Sequence, residues 1–348
     1  MNAQRDSDSV PVSSWRSARL LVTDEFAAPP VILRVDDSVI GTLGNFSAST
    51  GKVKSKKTFN VCAIVAAAMM GGTVLNYSAS LPPERRRILY VDTEQSRFHC
   101  KRVLCRILRL AGLPTDTHPP LLEFLCLRGY ATKERLRKIE EAIYDLDDLG
   151  LVVIDGIRDL AHDINSPGEA TDLITKLMQW TDERRIHIHT VLHLNKGDDN
   201  TRGHLGTELN NKAETVLQIT KDDFDRDVSS VAAMHIRDRD FEPFAFRINA
   251  DALPEPVKDY QFRPTTAAKS FDYAEVSEAK HREALELLFS EADWISYSSL
   301  IGRLQSSYAA IGHSFGINKA KQLKVFLENK RIIVKEDKFY RYNPDFHY

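Results

Sequence analysis

Cysteine is scarce in this chain: four residues, Cys62, Cys100, Cys105 and Cys126, among 348. No pair of them is matched by a second pair at metal-ligand spacing, which excludes a zinc ribbon or finger. They read as buried thiols of a reducing compartment. A strong charge of one sign is also missing, because 47 Lys and Arg face 49 Asp and Glu, for a formal net charge of -2. That excludes a globally basic nucleic-acid binder and leaves room for local basic patches. No apolar run is long enough to span a bilayer, and residues 1–10 are polar, of mixed charge, and lack the apolar core of a signal peptide. The expectation is a cytoplasmic protein with no membrane partner. A hydrophobic content of 43% is enough for a proper core, and the length fits one large domain and a smaller one.

The stretch that organises the rest is Gly51-Lys52-Val53-Lys54-Ser55-Lys56-Lys57-Thr58. It follows the phosphate-loop pattern G-x-x-x-x-G-K-[ST], with Lys56 where the second glycine would stand. Residues 38–46 mix apolar, β-branched and glycine residues as a short buried strand would. Residues 59–70, beginning at Phe59, form an apolar helix that Gly71 and Gly72 stop. Strand, loop and buried helix is the order such a loop needs. Backbone N–H groups at a helix start are unpaired and attract anions. Gly51 through Phe59 are therefore the candidate ATP-binding residues. Lys57 would reach the β- and γ-phosphates, and the Thr58 hydroxyl would ligate Mg²⁺. Lys56 demands a loop geometry that a Cβ tolerates. The competing possibility is a solvated basic turn ahead of a buried helix.

Strands are expected at 88–91, 121–127, 151–154, 186–194 and 215–219, with helices at 96–110, 132–146 and 169–181. This alternation predicts an α/β domain with a mostly parallel sheet and helices on both faces. Strands at 228–236 and 244–248 read as antiparallel and peripheral. The expected boundaries are an N-terminal extension over 1–35, disordered through residue 14, the α/β domain over 36–250, a linker over 251–278 and a small domain over 279–348. That last segment carries helices at 280–289, 298–310 and 318–329 and short strands at 331–334 and 338–342. The order predicts a winged-helix-like domain whose third helix enters the major groove of duplex DNA. Between 316 and 341 eight basic side chains face three acidic ones, and Lys319, Lys321 and Lys324 stand on the third helix as phosphate contacts would. A small assembly domain with a solvated charged face is the alternative.

Asp155 ends the apolar run Leu151-Val152-Val153-Ile154, as the acidic strand paired with a phosphate loop does. Its carboxylate would hold the Mg²⁺ shell. Asp159 and Asp163 fall beyond the strand. Glu94, two residues past Asp92 at another strand end, is the candidate general base, and Asp92 could exchange roles with it. His187, His189 and His193 alternate along one strand and point to one side. A buried strand exposes only the last, so His193 and Asn195 fit γ-phosphate sensors better than a metal cluster. Arg202, in the segment Thr201-Arg202-Gly203-His204-Leu205-Gly206, could complete a neighbouring subunit's site as an arginine finger. Lys196 and Lys212 could instead meet DNA phosphates.

Four segments in this order, GKVKSKKT at 51–58, ILYVDTEQS at 88–96, LVVIDGIRDL at 151–160 and HLNKGDDNTRGHLGTEL at 193–209, resemble the RecA-like ATPases. Within them the chain resembles the RepA-like hexameric helicase group, including members carried on bacterial mobile elements. The resemblance covers roughly residues 36–220, about half the chain. It implies a RecA-like fold, an ATPase using ATP and Mg²⁺, and catalytic roles for Lys57, Glu94, Asp155, His193 and Arg202. It further implies a homo-oligomeric ring, up to a hexamer, that binds ATP between subunits. Single-stranded DNA would be gripped by core loops at 157–169 and 195–205. The expected function is an ATP-dependent, helicase-like DNA-processing protein in replication or mobilisation of a genetic element. The alternative is a non-motor, ATP-switched DNA-binding initiator, loader or regulator. A small-molecule kinase ranks last, for want of an acceptor site in the sequence.

Overall fold

A computed structural model of the chain describes residues 15, 18–194, 203–258, 260, 262, 273 and 276–346. Residues 1–14, expected to be disordered, lie outside that set. The chain divides into two compact units, Met1–Tyr260 and Gln261–Tyr348.

In the first unit, strands β1 (Val31–Val35) and β2 (Ser38–Thr42) precede β3 (Phe46–Gly51), which runs into the phosphate loop and helix α1 (Lys57–Met70). Next come β4 (Thr73–Val74), β5 (Tyr77–Ala79), β6 (Arg87–Asp92), α2 (Arg97–Leu110), β7 (Leu122–Cys126), α3 (Thr132–Asp145) and β8 (Leu149–Asp155). Then follow α4 (Pro167–Arg184), β9 (His187–His193), α5 (Gly203–Lys212), β10 (Thr215–Lys221), β11 (Val228–Ile236), β12 (Phe244–Ile248) and β13 (Pro254–Pro256). The main sheet has nine strands in the order β13-β12-β11-β10-β3-β9-β8-β6-β7. From β10 to β7 every pairing is parallel. From β10 outward to β13 the pairings are antiparallel, so the sheet is mixed.

Both faces are covered. Helices α1 and α2 pack Val61, Ile64, Val65, Val103 and Ile107 on one face, while α3, α4 and α5 pack Ile139, Leu173, Leu177, Trp180 and Leu205 on the other. Full burial of such side chains contributes about 1.5–3 kcal/mol each. All seven residues of β8 are buried, as its unbroken apolar run requires of a strand covered twice.

Several expectations need correction. The strand feeding the phosphate loop is Phe46–Gly51, whereas Ser38–Thr42 belongs to a separate four-stranded sheet of order β2-β1-β5-β4. Val31–Val35, expected in an N-terminal extension, is a strand of that same small sheet. Pro254–Pro256, expected in a linker, pairs with β12 at the edge of the main sheet. Helix α3 is capped by Glu134, which accepts the Ala131 N–H at 3.2 Å. Helix α5 begins at Gly203, inside the segment 195–205 expected to be a core loop.

The second unit contains α6 (Glu278–Phe289), β14 (Ile295–Ser296), α7 (Tyr297–Ala310), α8 (Ile317–Asn329), β15 (Ile333–Glu336) and β16 (Phe339–Tyr342). The three helices enclose Leu285, Leu288, Leu300, Leu304, Leu323 and Leu327 with Ile332 and Ile333. The strands form an antiparallel sheet in the order β14-β16-β15, and β14 had no counterpart in the sequence expectations. Among the described residues no helix is long and apolar enough to cross a membrane.

Candidate functional site

The C-terminal ends of β3, β9, β8 and β6 form one edge of the main sheet. Register aligns Asp92 with Asp155, and Asp155 with Val191. Gly51 lies opposite His193. Strand β9 separates β3 from β8, so Gly51 and Asp155 are not on neighbouring strands. Helix α1 closes the gap: Thr58, in its first turn, donates from Oγ1 to Asp155 Oδ2 at 2.9 Å. Tyr90, on the same face of β6 as Asp92, donates its hydroxyl to that oxygen at 2.9 Å.

The loop folds around its lysine. Lys57 is buried, and its Nζ donates to Gly51 O at 2.8 Å and Lys52 O at 2.9 Å. A Cβ on Gly51 would collide with the Ile219 carbonyl oxygen and Ser55 Oγ, so glycine is required there. Lys56 takes the left-handed conformation, φ 68°, that a glycine normally supplies at this position. Its cost for an L-residue is about 1–2 kcal/mol. The Lys56 ammonium donates to the Arg226 carbonyl in the turn between β10 and β11. Lys54 is also left-handed, φ 65°.

A cavity of about 440 Å³ opens above this edge, with residues 54–59 on one wall and Glu94, His99, Arg102 and Arg106 on another. Asp155 and His193 also line it. Of the expected loop residues, Gly51 and Lys52 contribute carbonyls to Lys57, while Val53 is exposed. Phe59 lies 3.8 Å beneath the Arg106 guanidinium, which also donates to Ala252 O at 3.0 Å.

The carboxylates divide the work. Asp92 is buried and accepts Glu94 N at 3.0 Å, Gln95 N at 2.7 Å and Gln95 Nε2 at 2.7 Å. It shapes the turn that presents Glu94 to the cavity. Glu94 Oε1 lies 3.6 Å from His193 Nε2, and this imidazole holds the Glu94 carboxyl below its ordinary value against partial burial. Burial raises Asp155 to about 6, with Asp92 adding and the Thr58 and Tyr90 hydrogen bonds opposing. Burial lowers Lys57 to about 8 while Asp155 and Glu94 pull it upward. At neutral pH both groups therefore favour their ionised forms.

The other sequence candidates separate clearly. His187 and His189 are buried and serve the sheet. His187 Nδ1 donates to Thr42 O at 2.8 Å, and Ser47 Oγ links His187 Nε2 at 2.7 Å to His189 Nδ1 at 2.8 Å. Ser49 Oγ completes the chain on His189 Nε2 at 2.8 Å. Asp159 is taken up by Thr93 Oγ1 at 3.1 Å and Arg135 at 3.6 Å. Asp163 accepts Asn165 N at 2.9 Å. Lys212 is exposed at the end of α5. Asn195, Lys196 and Arg202 lie outside the described residues. Tyr90, Arg102 and Arg106 were missed. Of these only Tyr90 left a signal, its two-residue spacing from Asp92 on a strand. Among the described residues no group of three or more His, Cys, Asp or Glu could hold a metal by itself.

Comparison with known proteins bears on this geometry. The crystal structure of the RadB recombinase is similar over 62% of this chain and 92% of that chain, at 15% identity and a TM-score of 0.44. A comparison with curated proteins returns no match. A family profile described as AAA domain matches residues 16–199, which contain both the loop and Asp155. That match spans more than half of the sequence, and the chain belongs to the AAA domain family of P-loop ATPases.

Proposed function

We propose that the protein binds and hydrolyses ATP with Mg²⁺ at residues 51–59, Glu94 and Asp155, and that it uses this cycle on DNA as an oligomer. The observation that carries the nucleotide assignment is the Thr58–Asp155 hydrogen bond beside the buried Lys57. The residues fit the ligand. Two oxygen donors converge where a hard cation binds, and Ser55 Oγ is buried in the loop with no hydrogen-bond partner among the described residues. Magnesium would supply positive charge beside the β- and γ-phosphates, held by Thr58 and Asp155.

Lys57 already points into the loop, and the two carbonyls that hold it are weak ligands beside a phosphate. We assign to Glu94 the proton of an attacking water and to His193, 3.6 Å away, the orientation of that carboxylate. Arg202, by the resemblance to RecA-like enzymes, is assigned to a neighbouring subunit's site. We read the second unit as a winged-helix-like domain with α8 as its recognition helix. On α8, Lys321 is exposed and suits a phosphate contact. Lys324 is a poorer one, because it pairs with Glu328 and lies 5.0 Å over the Tyr340 ring.

A helicase-like motor in replication or mobilisation is the first form of this proposal. A non-motor, ATP-switched DNA-binding protein is the second, favoured by the basic surface residues of the second unit. Measuring ATP hydrolysis with and without single-stranded DNA, together with mass in solution, separates them. Stimulated turnover by a ring supports the motor. Slow, unstimulated turnover without a ring, together with duplex binding, supports the switch.

A further inference from the structure

The Glu94–His193 pair has a second side. Beyond it lies an open cleft of about 590 Å³ whose walls carry Arg128, Arg135 and Arg158 with Thr93 and Asp159. Arg128 follows β7, and Arg158 follows β8, so the cleft sits at the same C-terminal sheet edge as the nucleotide cavity, where α/β sheets place ligands.

The three arginines are not equivalent. Arg135 braces the fold, donating to Leu127 O at 3.1 Å, Arg128 O at 2.9 Å and Asp159 O at 3.2 Å. Its charge is met by the Asp159 carboxylate at 3.6 Å. Arg158 is 44% exposed, with its nearest carboxylate oxygen, on Asp159, 3.7 Å away. The Arg128 side chain is exposed and has no ion pair among the described residues. With Asp159 engaged by Arg135 and Glu94 by His193, two guanidinium groups remain without a full counter-charge in one cleft. Guanidinium forks of this kind match phosphate oxygens in shape and charge.

We propose that Arg128 and Arg158 form a second phosphate-binding site, separated from the nucleotide cavity by Glu94 and His193. Its ligand is a phosphate group, either inorganic phosphate leaving the first cavity or a phosphodiester of single-stranded nucleic acid crossing the sheet edge. Occupancy would be felt at Glu94, whose carboxylate already senses the positive charge of Arg158. The site's existence does not depend on ATP turnover, because the guanidinium pair would hold phosphate whatever the first cavity binds.

The test uses the full chain, its Arg128→Ala/Arg158→Ala double variant and the Arg128→Lys/Arg158→Lys control. Binding of a fluorescein-labelled oligothymidylate is followed against salt, inorganic phosphate is added as competitor, and a fluorescent ATP analogue is titrated in parallel. The alanine variant should lose about tenfold in oligonucleotide affinity, and its slope of log affinity against log salt should fall by about 1.4, the loss of two phosphate contacts on a single strand. The lysine control should keep the slope. Phosphate binding without oligonucleotide binding supports the site with released phosphate as its ligand, and the reverse supports the phosphodiester. Equal binding of both ligands by wild type and the alanine variant overturns the proposal, as does a wild type that binds neither. Loss of ATP-analogue binding in the wild type would overturn the nucleotide assignment alone and leave this site standing.

Discussion

Thr58 and Asp155 are 97 positions apart in sequence and 2.9 Å apart through Oγ1 and Oδ2. Tyr90 reaches the same carboxylate oxygen, also at 2.9 Å. Two hydroxyl donors thus oppose the burial that raises this carboxylate above its ordinary value.

Removing one donor has a defined cost. Tyr90→Phe should destabilise the protein by about 1–3 kcal/mol, the usual penalty for depriving a buried polar group of a partner. Urea unfolding measures it, and an unchanged midpoint would mean that the Tyr90 hydroxyl does not support Asp155.

Glu94→Gln keeps the shape of the turn set by Asp92 and removes the base. Nucleotide binding should be retained, and turnover should fall by about 10²–10⁴-fold, the usual scale of general base catalysis. A single-turnover assay reads both quantities, and unchanged turnover would take Glu94 out of the role.

Lys56 tests the loop's departure from its usual sequence. Its φ of 68° is one that glycine adopts freely and a β-branched residue resists. Lys56→Gly should therefore keep nucleotide binding. Lys56→Val should weaken stability by about 1–3 kcal/mol and binding with it. If both variants bind equally well, the loop does not depend on this conformation.

The histidine chain in the sheet predicts acid sensitivity. Burial lowers His189 to about 3, and His187 is lowered by the same cause. Both regain their ordinary value, near 6.5, when the chain unfolds. The unfolded state then binds more protons, so the stability is intact above about pH 6.5; the His189 share is lost as pH falls towards 3, at about 1.4 kcal/mol per unit, and the lowered His187 adds in the same direction. Ser47→Ala, which strands two buried ring nitrogens, should cost about 2–4 kcal/mol at neutral pH. Denaturant midpoints against pH would show a flat profile if these rings were solvated.

The same chain explains what the sequence hid. Strand β3 reads Phe46-Ser47-Ala48-Ser49-Thr50-Gly51, too polar to look buried, yet all six residues are. Its Ser47 and Ser49 hydroxyls are satisfied by histidines 140 to 142 positions away, and Thr50 Oγ1 by the Leu217 carbonyl, pairings that no local window contains. The segment at 38–46 reads as the feeding strand, yet its Ser38–Thr42 portion belongs to the small sheet. By contrast, β8 and Asp155 were legible because a fully buried parallel strand needs an unbroken apolar run. Lys57, Thr58 and Glu94 were legible because loop and strand-end chemistry is local. The second cleft was not, since Arg128 and Arg158 follow β7 and β8, which only the sheet order sets on either side of β6.

The central claim is that Lys57, Thr58 and Asp155 hold one magnesium nucleotide. Equilibrium binding of a fluorescent ATP analogue, with and without Mg²⁺, tests it most directly on the wild type and on Lys57→Ala shown to be folded by circular dichroism. Saturable, Mg²⁺-dependent binding that unlabelled ATP displaces, and that Lys57→Ala abolishes, is the expected result. Binding of equal strength in both proteins, or none in either, would contradict the account.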